Sequence, residues 1–362
     1  KVLTEISKLY NEDPQKAEEY SDMVAEGIQE MNLISPTTDD GLLTTEILDE
    51  SVANWRPDWD TVWGGDQRDE KFMLPVNLNF LLDYALLAND AATLKQVEIT
   101  LDKMAFGGIY DHIAGGFFRY STDAEWKVPH FEKMLYDNAQ AISLYSKAYK
   151  VYGKKEYKNI VLGTIAFLNR EMKSPDGTYY AALDAQSDGK EGKFYVWTKI
   201  ELQDILAADF SRFASYYRVQ DSTIWEENKY VLHKSVDDKT FSNNQNISLS
   251  QLELLKTTWQ EKLLSARKER NRPRTDDKIL VSWNALLISG YVEAYTAFGT
   301  VDYLNEAKQI LESLQKNGIK DGNLGHSYKA GSTFIPGFLE DYSFLANASL
   351  SLYSASLNTA YL

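Results

Sequence analysis

Four short segments hold the residues best suited to chemistry, and each mixes turn-forming residues with acids and aromatics. The first is GGIYDHIAGGFFRYSTDAEWKVPHFEKMLYDN at 107–138. Pro129 suits the first position of a helix, which sets His130 and Glu132 in an opening turn where the dipole favours a bound anion. His130 is therefore a candidate proton-transfer group. Asp111, Arg119 and Tyr120 are candidates for contacting an anionic or hydroxylated ligand, and an Arg119–Asp123 pair would be the structural alternative. The second segment, DAQSDGKEGKFYVW at 184–197, opens like a calcium loop. Its twelfth position is Tyr195 where such a loop needs a bidentate Glu, so a calcium hand is rejected. Asp184, Asp188 and Glu191 remain candidate ligand carboxylates, and Tyr195 and Trp197 candidate stacking surfaces. The third, DDKILVSWNALL at 276–287, offers Asp277 beside a capping Asp276, with Trp283 and Asn284 in an otherwise apolar helix. The fourth, IPGFLEDY at 335–342, puts Asp341 near another helix start.

Carboxylates beside aromatic rings suit sugars, because apolar sugar faces stack on Trp and Tyr while hydroxyls bond to Asp, Asn and Arg. The expected ligand is accordingly a sugar or oligosaccharide. The expected reaction is acid/base chemistry, either epimerisation or hydrolysis by paired carboxyls. His130, Asp277 and Asp341 are the candidate catalytic groups. Asp111, Arg119, Tyr120, Trp126, Glu132, Asp184, Glu191, Tyr195, Trp197, Trp283 and Asn284 are the candidate binding groups.

Composition narrows the field. The chain has 362 residues and no Cys, which excludes disulfides, thiolate nucleophiles, iron–sulfur clusters and Cys-based zinc sites. His112, His130, His233 and His326 are its four histidines, too few for a His-rich metal centre, so neither a metal nor a cofactor is expected. A net charge of −15 argues against nucleic acid as a partner. The basic run Arg267–Arg274 reads as a helix end complementing its dipole. No apolar stretch is long enough for a membrane span. No nucleophile elbow, phosphate loop, dinucleotide fingerprint or zinc-protease motif occurs. Localisation is left open, with a soluble cytoplasmic setting favoured.

The elements that must position these groups are helical. Apolar spacing of three and four predicts helices near 14–33, 43–54, 75–88, 91–105, 130–152, 154–173, 198–207, 249–270, 281–298, 301–317 and 337–356. Between them recurs a Gly-Gly or Asp-Gly turn, a short aromatic stretch and often a Pro. Pro75 and Pro129 lie 54 residues apart. Helices such as Phe80–Leu87 and Ile279–Ile288 are apolar nearly all round, whereas Tyr303–Leu314 is amphipathic, a contrast of inner and outer helices. This rhythm predicts one all-α domain over 1–362, an (α/α)6 toroid with short β-hairpin loops at one rim. Residues 1–55 form leading helices, and 208–247 is an irregular insertion in which Ser242–Asn246 reads as a surface loop. Five and a half hairpins are counted, so the ring is incomplete at its C-terminal end or closes differently.

The three signatures at 107–138, 184–197 and 276–287 closely resemble those of the thioredoxin-domain-containing (DUF255, spermatogenesis-associated protein 20-like) family, over about residues 60–345. The resemblance implies a six-hairpin toroid similar to N-acylglucosamine 2-epimerases, cellobiose epimerases and six-hairpin glycosidases. It also implies a thioredoxin-like domain or partner; no such domain is read in this chain, and the absence of Cys means that no redox role transfers. The epimerases of this fold use inner-helix His residues for proton transfer, and His130 is the nearest positional match. A non-catalytic binding or scaffold module is the competing expectation.

Overall fold

The structure, a computed structural model, describes residues 2–32, 44–329 and 334–362. It contains helices α1 (Val2–Glu12), α2 (Pro14–Asn32), α3 (Thr45–Trp55), α4 (Pro75–Ala88), α5 (Ala91–Phe106), α6 (Leu135–Tyr152), α7 (Lys155–Glu171), α8 (Lys199–Leu206), α9 (Phe210–Tyr216), α10 (Asp238–Asn244), α11 (Leu249–Lys268), α12 (Val281–Phe298), α13 (Val301–Asn317) and α14 (Leu339–Ser356). The chain divides into two compact units, Lys1–Ser51 and Val52–Leu362. In the first, α1 packs on α2, and Asp13 accepts from the Lys16 amide at the start of α2 (3.1 Å).

The second unit has the α/α-toroid architecture. Inner helices α4, α6, α12 and α14 pack in series, and α5, α7 and α13 each pack outside the inner helix that precedes them. The outer helix α13 buries Leu304, Ala307, Ile310, Leu311 and Leu314 on one stripe, as its amphipathic sequence predicts. The inner helix α12 buries ten of its residues, including Ser282 and Asn284. Helix α4 departs from the prediction of a helix buried all round: Val76, Phe80, Leu86 and Leu87 are exposed on one side. Helix α14 likewise exposes Leu339, Tyr342, Phe344 and Leu350.

Residues 199–268 supply no inner helix, since α6 packs directly on α12. Instead α8, α9, α10 and α11 surround a core of their own, with Trp259, Phe213, Tyr216, Leu252 and Leu263 at its centre. Within the expected irregular insertion at 208–247, α9 and α10 are the α-helices, separated by turns and short 3-10 stretches. Ser242–Asn244 closes α10 with Ser242 buried, which corrects its reading as a surface loop.

Short strands join the loops at one rim, and they unite segments far apart in sequence. Lys133–Met134 pairs antiparallel with Ala182–Leu183, which pairs antiparallel with Thr275–Asp276. Met134, Ala182 and Asp276 are thereby in register. Ile279–Leu280 pairs with the strand Asn323–Tyr328, which also pairs with Ile335–Pro336. Residues of the first and third chemically rich segments thus lie beside Ala182, two residues before the second, and the fourth is tied in through the second sheet.

Candidate functional site

The predicted helix start at Pro129 is overturned. Pro129–His130 and Lys133–Met134 are strands, and α6 begins only at Leu135. From 129 to 135 burial alternates strictly, with Phe131 and Lys133 turned inward and His130, Glu132 and Met134 partly exposed. A period of two is the signature of a strand. His130 therefore does not sit on a helix N-terminus. It ends an aromatic ladder across three strands, in which Phe72 stacks on Tyr120 (4.8 Å) and Tyr120 on His130 (5.1 Å).

His130 lies between two carboxylates. Its Nδ1 is 2.8 Å from Oε1 of Glu191, which also accepts from the Phe131 amide (3.2 Å). Its Nε2 is 3.7 Å from Oε2 of Glu132. Glu132 accepts in turn from Arg119 Nη1 (3.2 Å), and Arg119 Nε donates to the Tyr136 hydroxyl (3.2 Å). The expected Arg119–Asp123 alternative does not form. Asp123 instead accepts from the amides of Glu125, Lys127 and Val128 and shapes its own turn.

Glu132 lines a cavity of about 580 Å³ at the rim, together with Asp184, Asp276 and Asp277. Arg274, Lys278 and Lys329 share its wall. Lys329 donates to Asp277 (2.5 Å) and holds the Asp277 carboxyl below its usual range. The cavity exists because the strand pairing of 133–134, 182–183 and 275–276 gathers their flanking residues. Glu132, Asp184 and Asp277 were expected in a site; Asp276, Arg274, Lys278 and Lys329 join them there.

Several other candidates are committed to structure. Asp111 is buried, and its Oδ2 accepts from both Lys133 (2.9 Å) and Arg267 (2.7 Å). Burial alone would raise its pKa, but Arg267 and Lys133 hold it far below the usual carboxylate range. Burial pushes the Lys133 ammonium down to about 8, against the pull of Asp111. Asp341 is fully buried: its Oδ1 accepts from the Ser282 amide (3.1 Å), and its Oδ2 from the Phe338 amide (2.8 Å) and His326 (2.9 Å). It ties together two helix starts, and three of its acceptor positions are used in doing so. His326, Glu340 and Asp341 bring ligand atoms within 4.8 Å of one another, but the same three bonds already occupy Asp341. Asn284 is consumed by the backbone of Tyr179 and Leu280.

The expected aromatic platforms divide similarly. Trp126 is wholly buried with its Nε1 on the Trp63 carbonyl (2.8 Å), and Trp197 is wholly buried beneath Arg270, whose guanidinium lies 3.8 Å from the ring centroid. Tyr195 packs among Phe118, Phe131 and Phe194. Nothing can stack on these three. Trp283 stays partly exposed in the first turn of α12, edge-on to Tyr136 in the first turn of α6 (4.8 Å). Two members of the basic run at 267–274 are likewise drawn inward: Arg267 joins Asp111, and Arg270 bonds to the carbonyls of Lys193, Phe194 and Val196.

One group escaped the sequence reading. Asp137, in the first turn of α6, is buried, and its Oδ2 has no partner among the described residues. Burial pushes its pKa up to about 8 despite the opposing charge of Arg119, so the carboxyl is mostly protonated at neutral pH. The DN pair at 137–138 at a predicted inner helix was the available signal.

No family model matches the chain. A Caenorhabditis elegans protein of uncharacterised function is 33% identical over 93% of this chain and 51% of its own length. Human spermatogenesis-associated protein 20 is 33% identical over 84% of this chain and 44% of its own length; the mouse protein is 32% identical over 84% and 43%. Over most of its length this chain is similar in sequence to spermatogenesis-associated protein 20. It spans about half the length of these curated relatives. Among solved structures, a family 76 α-mannanase of Bacteroides thetaiotaomicron aligns with 88% of this chain and 66% of its own at 12% identity and a TM-score of 0.49. A sugar epimerase from a ruminal bacterium aligns with 88% and 100% at 16% identity and a TM-score of 0.35. Among the described residues, no helix is long and apolar enough to cross a membrane.

Proposed function

We propose that the rim cavity binds a sugar or oligosaccharide and performs acid/base chemistry on it, of the kind an epimerase or glycosidase performs. The observation that carries this reading is the convergence of Glu132, Asp184, Asp276 and Asp277 on one cavity. His130 transfers the proton: Glu191 orients the ring from Nδ1, and Nε2 faces Glu132. Asp277 is an ionised carboxylate partner, and Asp137 holds a proton at neutral pH. Carboxyls whose surroundings push their pKa values apart are the usual basis for dividing acid and base roles. Trp283 and Tyr136 supply stacking surface.

The test is a thermal-shift screen of mono- and disaccharides on the full chain, followed by turnover assays on whatever binds. Glu132→Gln and His130→Ala are expected to retain the fold and to lose turnover. A saccharide that binds and is turned over equally well by both variants would sink the assignment. A second reading is a non-catalytic binding module working beside a thioredoxin-like domain or partner. It is favoured by the structural use of Asp111, Asp341 and Asn284, and saccharide binding without turnover would select it.

A further inference from the structure

A second, smaller cavity lies away from the rim cavity, between the ends of α7 and α11. It offers about 70 Å³, several times the 10–15 Å³ or so that a single water needs. Its wall contains Lys133, Arg170, Tyr195, Arg267 and Arg272, with Asp111 and Glu171 as the acids.

The charges in this wall do not balance. Asp111 is shared by Lys133 and Arg267. Glu171 is shared by Arg170, which donates to Oε1 (2.7 Å), and Arg272, which donates to Oε2. Two carboxylates thus serve four cations, and Lys268 adds a fifth positive charge to the wall. Two buried donors are also unused. The Tyr195 hydroxyl and Arg267 Nε have no partner among the described residues, although both side chains are more than nine-tenths buried. A buried donor left without a partner is costly, and more so when it belongs to a charged group. Surplus positive charge, unused donors and a void of this size meet in one place, and a small oxyanion would answer all three.

We propose that this cavity is a binding site for a tetrahedral oxyanion, either inorganic phosphate or the terminal phosphoryl group of a phosphomonoester. The ligand enters from the side of Arg272, whose side chain is half exposed. Arg267 and Tyr195 meet it at the buried end. This assignment does not depend on sugar chemistry at the rim.

The experiment is isothermal titration of the full chain with sodium phosphate and with glucose 6-phosphate, each at fixed ionic strength against a sodium chloride control. Saturable phosphate binding is expected. Tyr195→Phe removes one hydroxyl from the buried end, and Arg272→Gln removes one charge from the open end. Each is expected to weaken binding about ten-fold, as loss of a hydrogen bond to a charged group implies. Asp277→Asn, in the rim cavity, is expected to leave it unchanged. Tighter binding of glucose 6-phosphate with the same dependence on Tyr195 and Arg272 assigns the site to a phosphorylated ligand; preference for phosphate assigns it to the free ion. Heats no larger than those of the chloride control, or equal affinity in wild type and both variants, overturn the proposal.

Discussion

The openings of α6 and α12 are built alike and equipped differently. Each follows a two-residue strand and an extended N-cap residue, Met134 or Leu280, with no side-chain cap. Each carries a fully buried Asn at its fourth position, three residues beyond the first. Asn138 accepts from the Phe117 amide (2.7 Å) and donates to the carbonyls of Phe117 (3.0 Å) and Met134 (2.8 Å). Asn284 repeats this with the Tyr179 amide (2.8 Å) and the carbonyls of Tyr179 and Leu280 (3.0 Å each). The Asn thus replaces a cap and pins the loop of the preceding hairpin onto the helix start. Gly115 and Gly116 let the first loop reach that position, since both have positive φ and a Cβ on Gly115 would meet the Gly163 carbonyl. Before that Asn the two openings differ, most sharply at the second and third helical residues: Tyr136 and Asp137 in α6, Ser282 and Trp283 in α12. The repeated clasp is scaffold, and the residues around it are where the two helices diverge.

The largest expected effect would break the likeness itself. Asn138→Ala and Asn284→Ala each remove three hydrogen bonds and strand a buried amide, so each is expected to cost about 3 kcal/mol or more. Urea denaturation measures both. A loss several-fold smaller for one of them would show that the two clasps are not equivalent.

The next effect sharpens the difference. Asp137 ionises near its ordinary pKa of 3.8 in the unfolded chain and near 8 in the folded one. Its contribution to stability is therefore fully present below the ordinary value, falls as pH rises between the two, and is gone above about 8. Thermal denaturation at pH 5 and pH 8.5 is expected to show a larger drop in melting midpoint for wild type than for Asp137→Asn. An identical drop would remove the buried proton from the comparison. Turnover of a bound saccharide is expected to decline above about pH 8 as Asp137 loses that proton.

Trp283→Ala is expected to weaken saccharide binding about ten-fold while leaving the pH dependence of stability intact. A titration of the saccharide found in the screen reads this, and unchanged affinity would mean that the ring is only packing. The smallest effect belongs to Asp277→Asn. The exposed pair with Lys329 contributes too little to move the melting midpoint, whereas affinity for the same saccharide should fall.

Most helix boundaries were legible, and the apolar periodicity of α13 directly reflects which face is buried, whereas the evenly apolar sequence of α4 hid its exposed side. Pro75 does open α4, as proline at a first helical position predicts. Pro129 does not, because Pro129–His130 pairs with the nearby Tyr120–Ser121 and Lys133–Met134 with the distant Ala182–Leu183, and these pairings override the helical signal of the proline. The acids of the rim cavity were partly legible for the same reason: Glu132, Asp184 and Asp277 lie next to strands, but only the pairing brings them together. Aromatics misled most. Trp126 and Trp197 occur in loop-like sequence and are nonetheless core, since a large ring in a loop can fill a gap as readily as it can face a ligand. Asp137 was hidden because its proton affinity comes from burial, a tertiary property.

The rim sheet that pairs residues 133–134, 182–183 and 275–276 also bears on how the molecule assembles. Its three strands come from loops between different hairpins, so it forms only after long stretches of chain have been closed, and that closure costs entropy before any pairing repays it. The sheet that shapes the cavity is thus expected to form late in folding. A ligand bridging Glu132, Asp184 and Asp277 would act as a clasp across three hairpins, and its occupancy would slow unfolding of the whole ring.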